Sequence, residues 1–386
     1  MSQYTTIFNQ MLHLIPRHRF ETLVASHQAD RYVKHLTSWR QFTTLLYAQI
    51  SGKDSLREIE QGLQVNESRI YHLGLTRIKR STLADANNRR SHEIFEGLFY
   101  RVLERCQNIT PKHKFRFKNP LFTFDSTLIE LCLSVFPWAK YRFSKGAVKL
   151  HYQFNHAGCI PEFLIITGAD ANDMKVAKKF FHIQPDSIYC LDRGYVDFSL
   201  FRRIHDRKSF FVTRAKTGIN CTVIGQHSEP NKKGVLADHL IKFNIYESRK
   251  DINFPVRLIR YYDSQTDKEL TFLTNNLHLS AFTIAQIYKA RWQVEIFFKW
   301  IKQNLKIKNF LGTSHNAVLT QIWVAMLYYL LLAYIKFQSR YQRSLFYLHR
   351  VIRDTLLTKN TLLDLLRANE RIISKLQRDD PQLSFF

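Results

Sequence analysis

Three acidic residues carry the chemistry that this sequence could perform. Asp125 sits inside Phe-Thr-Phe-Asp-Ser-Thr, an apolar run where an ionised carboxylate is costly unless it is paired or metal-bound. Asp192 ends the run Ile-Tyr-Cys-Leu and precedes Arg193-Gly194-Tyr195, and sites in open α/β sheets gather at such strand ends. Glu295 lies in a helical pattern. At about 100° per residue, Tyr288, Arg291, Glu295 and Lys302 share one stripe, with Lys299 and Lys306 close by. Val294, Phe297, Trp300 and Ile301 occupy the other sides, which predicts a helix buried around most of its circumference. From Ile296 to Arg353 there is no Asp or Glu and there are nine Lys or Arg, so a surface salt-bridged stripe would lack its acids. The pattern reads instead as one metal-binding carboxylate bordered by phosphate-binding cations. Three such carboxylates suit phosphoryl transfer assisted by two divalent ions, one activating a water or hydroxyl and the other stabilising the leaving oxygen. Hard oxygen ligands favour Mg²⁺, with Mn²⁺ as its substitute.

The charge balance names the partner. Lys+Arg 57 against Asp+Glu 32 gives +25, an excess that points to nucleic acid. A chain of 386 residues has room for two or three domains. Only 12 Gly and 9 Pro, beside 30 Phe and 18 Tyr, exclude a collagen-like or largely disordered chain. The cysteines, Cys106, Cys132, Cys159, Cys190 and Cys221, form no C-x-x-C pair and read as thiols in a reducing compartment. The amino-terminal stretch lacks the apolar core of a secretory signal, so a cytoplasmic, DNA-associated protein is expected. Residues 317–335 carry only Thr320 and Gln321 as polar residues. Their uninterrupted run, 322–335, falls short of the roughly 20 residues of a membrane span and predicts a buried core helix.

The elements around the acids follow from periodicity and breakers. Residues 1–106 read as all-helical, with Phe42, Leu45, Leu46, Gln49 and Ile50 at helical spacing and a capping box at Ser55-Leu-Arg-Glu58. Their short helices and basic residues, Arg57, Arg69, Arg77, Lys79, Arg80, Arg89 and Arg90, suit a helix-turn-helix-like DNA reader or, equally, a plain bundle with a solvated basic face. Residues 107–120 form a basic, Pro-bounded linker. From 121 to 217, hairpin-like strands give way to strand-helix-strand-helix-strand alternation, which predicts a mixed sheet flanked by helices, the order of a ribonuclease-H-like core. Residues 218–278 hold short β-prone pieces without a clear helix and are expected to form an all-β insertion. One long helix follows in 279–315, completing the core, and 316–386 form a helical carboxy-terminal region. Arg142 and Lys145, in the basic-aromatic stretch 138–145, are expected to touch DNA. His151 and His156 read as packed strand residues, Asp170 and Asp173 as helix caps, and Trp292 as helix packing.

Asp125 in a strand, Asp192 in Leu-Asp-Arg-Gly-Tyr, and Tyr288-x2-Arg291-x3-Glu295-x6-Lys302 resemble the DDE transposases of bacterial insertion sequences, in the IS-four family marked by a Y-R-E-K signature. The resemblance covers roughly residues 121 to 310. It implies cut-and-paste transposition on double-stranded DNA, both element ends and target, by a homodimer, with cleavage through a hairpin and joining of 3′ ends. It further implies that Asp125, Asp192 and Glu295 bind two Mg²⁺ and that Tyr288, Arg291 and Lys302 hold phosphates. Relatives are expected to stack a flipped base on an aromatic residue of the insertion, often Trp. Here no Trp occurs between Arg193 and Arg291, which leaves Tyr261 or Tyr262 for that role. Two rivals remain at this point, a DNA-binding regulator without catalysis and a metal-dependent nuclease that cuts without joining.

Overall fold

The computed structural model describes residues 5–75, 77–142, 145–230, 233–244, 252–305 and 310–368, without the side chains of 140–145. They divide into two compact units, residues 112–299 and residues 1–111 with 300–386.

The first unit is built on one mixed sheet. Strands β1 (Leu121–Leu131), β2 (Lys140–Arg142), β3 (Lys145–Asn155), β4 (Ile160–Gly168), β5 (Ile188–Leu191) and β6 (Phe210–Arg214) form its first part. β1 pairs antiparallel with β3 and parallel with β5, β5 pairs parallel with β6, and β4 pairs with β3. Helices α8 (Asp173–Phe180) and α9 (Phe198–Asp206) start at Asn172 and Asp197, whose side chains accept from backbone N–H groups of the first turn. Strand periodicity then sorts β1 between two cores. Phe122 and Phe124 pack with Phe181, Tyr189 and Phe201 among residues of α8 and α9. Leu121 packs with Ile188 and Cys190 against Ile284 and Ile287, which belong to α10 (Ala281–Ala290). Helices on both faces explain why β5 is apolar at every position.

The stretch expected to be all-β is so, and it joins the main sheet. Strands β7 (Cys221–Gln226), β8 (Val235–Phe243), β9 (Val256–Asp263) and β10 (Lys268–Thr274) continue the same sheet in the order β6-β10-β9-β8-β7. β10 pairs with β6 through Phe272↔Arg214, Leu273↔Thr213 and Thr274↔Val212. The reason lies in backbone polarity, because a separate subdomain would leave the edge of β6 without partners. The long helix expected after Ser280 is also two helices, α10 and α11 (Trp292–Asn304), which meet at Arg291. The Arg291 N–H donates to Tyr288 and the Val294 N–H to Arg291, both three residues back, so the ladder tightens there. Neither Gly nor Pro marks the break.

The helical unit contains α1 (Ile7–Leu12), α2 (Arg17–Ser26), α3 (Ser38–Ser51), α4 (Leu56–Val65), α5 (Glu67–Ile70), α6 (Arg80–Arg89), α7 (Glu93–Gln107), α12 (His315–Ser339) and α13 (Leu345–Thr355). The amino- and carboxy-terminal helical stretches, separate in the sequence reading, thus fold together. The Ser55 cap forms, with Ser55 Oγ accepting from the Glu58 N–H, while Glu58 reaches back one residue past the cap to the Asp54 N–H. α12 is long and apolar enough to cross a membrane, yet 94% of its most apolar window is buried within the protein. Its Trp323 packs on Phe99 at 5.3 Å, and Tyr328 shares a 2.8 Å hydrogen bond with His349 of α13.

One buried ion pair fixes the approach to α10. Arg257 of β9 is fully buried and bonds both Asp238 oxygens, at 3.0 and 2.6 Å, and donates at 2.7 Å to the carbonyls of Asn276 and Leu279 just before the helix. Burial opposes the Asp238 charge, but the Arg257 bonds outweigh it and lower its pKa. Arg257→Met leaves that carboxylate buried without its cation, with Ser228 and His227 still beside it, so a loss of about 3 kcal/mol is expected. Urea unfolding at pH 7 measures it. The loss shrinks as acid protonates the stranded carboxylate of the variant, and it is gone once pH has fallen through the depressed pKa that Asp238 has in the parent.

Candidate active site

Sheet register places the first two acids. Thr123 pairs with Cys190 and Phe124 with Leu191, so the next residues, Asp125 within β1 and Asp192 just past the carboxyl end of β5, come side by side where the parallel pairing stops. Asp125 shares a strand face with Leu121 and Thr123, the face covered by α10. The third acid arrives on α11, which is seated over β3 by aromatic packing, with Phe297 at 5.3 Å from Tyr152 and 5.1 Å from Phe154, and Phe298 at 5.3 Å from Tyr152.

All three acids converge on the guanidinium of Arg291. Its Nη1 lies 3.3 Å from Asp125 Oδ2 and 3.4 Å from Glu295 Oε1, and its Nε lies 3.9 Å from Asp192 Oδ1. Asp125 and Arg291 are the deep members, with side chains 17% and 13% exposed, while Asp192 and Glu295 are half open to solvent at 43% and 41%. Burial pushes the Asp125 pKa up to about 7. The Ser126 N–H, at 2.8 Å, and Arg291 work against that shift, while Glu295 and Asp192 add to it. Burial also works against the charge of Arg291, but the negative charges facing it, Asp192 first, more than offset this and raise its pKa. One cation faces three carboxyl groups, which makes this an acidic site inside a strongly basic chain.

That imbalance bears on whether a metal fits. The donors are hard carboxylate oxygens, the choice of Mg²⁺ or Mn²⁺, and the under-compensated Asp125 is the kind of group a divalent ion would neutralise. The residues fit such an ion chemically. Among the described residues, however, no group of three or more His, Cys, Asp or Glu is gathered tightly enough to hold one. A guanidinium occupies the middle of the acids, and they would have to close in from over 3 Å to the roughly 2.1 Å of Mg–O bonds.

The other expected site residues fall out unevenly. Tyr288 is partly buried, packs on Phe272 at 5.0 Å and lies 5.9 Å beneath the Arg291 guanidinium, so its ring supports the arginine. Lys299 is exposed, and Lys302 lies farther along α11 in the portion assigned to the helical unit. Lys306 and the side chains of Arg142 and Lys145 lie outside the described residues. Val294, Phe297 and Ile301 of α11 are buried as expected, but the helix is not buried around most of its circumference, since Trp292 is 63% and Ile296 58% exposed, so Trp292 is not a packing residue. Of the two tyrosines considered for base stacking, Tyr261 is buried in the core with Phe272 and Tyr262 is exposed, bonded to Asp267 at 2.6 Å.

Sequence reasoning missed a polar cluster beside Asp125. Asp173 pairs with Lys149 at 2.9 Å and lies 3.2 Å from the buried His151, whose Nε2 shares a 2.9 Å hydrogen bond with Thr167. Burial opposes the Asp173 charge, but His151 and Lys149 outweigh it and hold the pKa well below the usual carboxylate range. Asn172, one residue earlier, is the actual cap of α8. Lys149 and His151, two apart on a strand, were the available signal, since period 2 puts both on one face. The Tyr195 hydroxyl is buried near Ser126, its pKa raised by burial and then by Asp173, Asp125 and Asp192, with Ser126 working against the shift.

Residues 116–331 match the family described as Transposase DDE domain, more than half of the chain. The chain belongs to the DDE transposase family. Residues 3–76 match a domain of unknown function, DUF4372. A Sinorhizobium fredii protein named as transposase y4zB is 33% identical over 255 residues, 65% of this chain and 69% of the relative. The protein named as transposase for insertion sequence element IS5377 of Geobacillus stearothermophilus is 26% identical over 352 residues, 89% of this chain and 88% of the relative. A solved piggyBac transposase synaptic complex with hairpin DNA aligns at a TM-score of 0.45 and 10% identity, covering 93% of this chain and 79% of that one. Insertion-sequence transposase is thus the function shared by named relatives of this DDE chain.

The raised pKa of Asp125 gives a stability prediction with a definite sign. A carboxyl that titrates near 7 when folded and near 4 when unfolded binds its proton more tightly in the folded state. Its contribution is therefore full below about pH 4 and is lost as pH rises through 7. Asp125→Asn removes that loss. The thermal midpoint of the variant should rise relative to the parent between pH 5 and pH 8, and equal slopes for the two proteins would place the titration elsewhere.

Proposed function

We propose that this DDE transposase moves its insertion sequence by cut and paste, with Asp125, Asp192 and Glu295 as the catalytic acids and Mg²⁺ as their cofactor. The observation that carries the reading is the convergence of three acids, from two strands and a helix, on one guanidinium. The strand order β4-β3-β1-β5-β6 supports a ribonuclease-H-like core, and the unbroken Tyr288, Arg291, Glu295 and Lys302 spacing supports the IS-four assignment. Double-stranded DNA, as element ends and target, is the partner that a charge of +25 would attract, and a homodimer is the assembly proposed to bring two ends together. Cleavage through a hairpin remains part of this proposal, with Tyr262 as the exposed one of the two tyrosines considered.

Each protein group has a definite task in this reading. Two Mg²⁺ held by the three carboxylates would supply charge stabilisation at the attacking and leaving oxygens. Without DNA, Arg291 keeps the acids together by offsetting their repulsion. When a phosphate arrives, its planar fork of donors suits bidentate contact with that phosphate better than three spread carboxylates, so Arg291 releases the acids as it takes hold of the backbone. Tyr288 beneath it limits the directions in which the guanidinium can swing. Lys299 and Lys302 hold neighbouring phosphates.

Cleavage and joining on labelled duplexes taken from the two DNA flanks of the gene test this reading. With Mg²⁺ the parent should nick both flank termini and yield joined products. Asp125→Ala, Asp192→Ala and Glu295→Gln should each reduce cleavage below detection while binding the same ends. Strand transfer retained by any one variant removes that residue from the site, and end binding without cleavage by the parent favours a regulator.

A further inference from the structure

His156 lies outside the set of acids and cations, yet it joins the elements that carry two of the acids. It is buried, 5% exposed, just beyond β3. Its Nε2 shares a 2.7 Å hydrogen bond with the hydroxyl of Thr123, and its Nδ1 shares a 3.0 Å hydrogen bond with Oε1 of Gln293. Thr123 is two residues before Asp125 on the same strand face, and Gln293 is two residues before Glu295, about 3 Å along the helix axis. We infer that His156 is a positioning residue, a hydrogen-bonded link that sets the gap between the strand holding Asp125 and the helix holding Glu295.

The chemistry of the three partners fixes the link in one form. Gln293 Oε1 can only accept, so Nδ1 of His156 carries the proton and Nε2 accepts from the Thr123 hydroxyl. Burial lowers the pKa of His156 to about 4, which keeps the ring neutral at working pH, with one donor and one acceptor. The Cys159 thiol donates to the same Gln293 oxygen at 3.6 Å and holds the amide in that orientation. The aromatic packing of Phe297 and Phe298 on β3 presses α11 to the sheet, but apolar contact is non-directional and permits sliding. Hydrogen bonds weaken steeply with angle and distance, so the His156 link resists that sliding where the packing does not. Thr123 itself is fully buried, which makes its hydroxyl costly to leave without a partner.

The link rests on the proposal that the acids hold a divalent ion, so its test reads ion binding as well as cleavage. Mn²⁺ binding to the DNA-free full-length chain is followed by electron paramagnetic resonance for the parent, Thr123→Val, Thr123→Ser, Gln293→Met and the Val/Met double variant. Thermal midpoints establish that each is folded. Thr123→Val and Gln293→Met should each weaken Mn²⁺ binding and slow DNA cleavage by about 10–100-fold, the range for residues that orient metal-binding groups. Binding of DNA ends should hold at the parental value, Thr123→Ser should restore ion binding and cleavage, and the double variant should be no worse than either single one, because both break the same link. A folded Thr123→Val that binds Mn²⁺ and cuts like the parent overturns the inference, as does Thr123→Ser falling as far as Thr123→Val. A parent that binds Mn²⁺ but cuts no DNA, with Thr123→Val still losing ion affinity, retires the transposition reading and leaves the link standing.

Discussion

Three carboxylates held within reach of one another repel, and the repulsion grows as burial lowers the local dielectric. In this chain the guanidinium of Arg291 offsets it, and much of the local architecture follows from bringing that group to the acids. The helix ladder breaks at Arg291, the ring of Tyr288 lies beneath it, and Asp125 still titrates near 7 because burial, with the neighbouring acids adding to it, outweighs the Ser126 N–H and the guanidinium. The site is therefore poised for cations although the chain as a whole is poised for anions. That opposition suits the proposed pairing of a polyanionic substrate with a divalent cofactor.

The sheet answers the same constraint from the other side. Parallel pairing of β1 with β5 sets Asp125 beside Asp192 with no loop to adjust the spacing. The strands from β7 to β10 extend the sheet beyond β6, and their Arg257–Asp238 pair fastens the carbonyls that lead into α10. A buried ion pair adds little net stability, because desolvation consumes the attraction. Its use here is geometric, since four directional bonds hold the start of the helix that ends at Arg291. The cluster of Asp173, Lys149 and His151 places a second ion pair, Asp173–Lys149, near Asp125, with His151 against it.

Much of this was legible in the sequence where a residue's role is decided by its near neighbours. Asp125 in an apolar run, Asp192 at a strand end and Glu295 at helical spacing from Arg291 each announced themselves. So did the Ser55 cap, the buried stripe of α3 and the apolar helix α12. The failures share a cause. The break at Arg291 has no Gly or Pro to mark it, and Trp292, read as helix packing, faces solvent just beyond it. Asp173 looked like a cap because it opens a helix, while its partners lie on β3, more than twenty residues away. Likewise, nothing adjacent to His156 hints at Gln293, which is 137 residues distant.

The sequence by itself determined which residues could do chemistry, where strands and helices run and what sign of partner the chain attracts, because period, capping and charge are local or additive properties. Tertiary structure alone decided that the guanidinium sits among the acids, that the β-rich stretch prolongs the main sheet, that the two helical ends of the chain fold together and that a neutral histidine ties β1 to α11. Each of these depends on which distant groups meet. Long-range register and the need to satisfy buried polar and charged groups settle that, and no spacing along the chain encodes it.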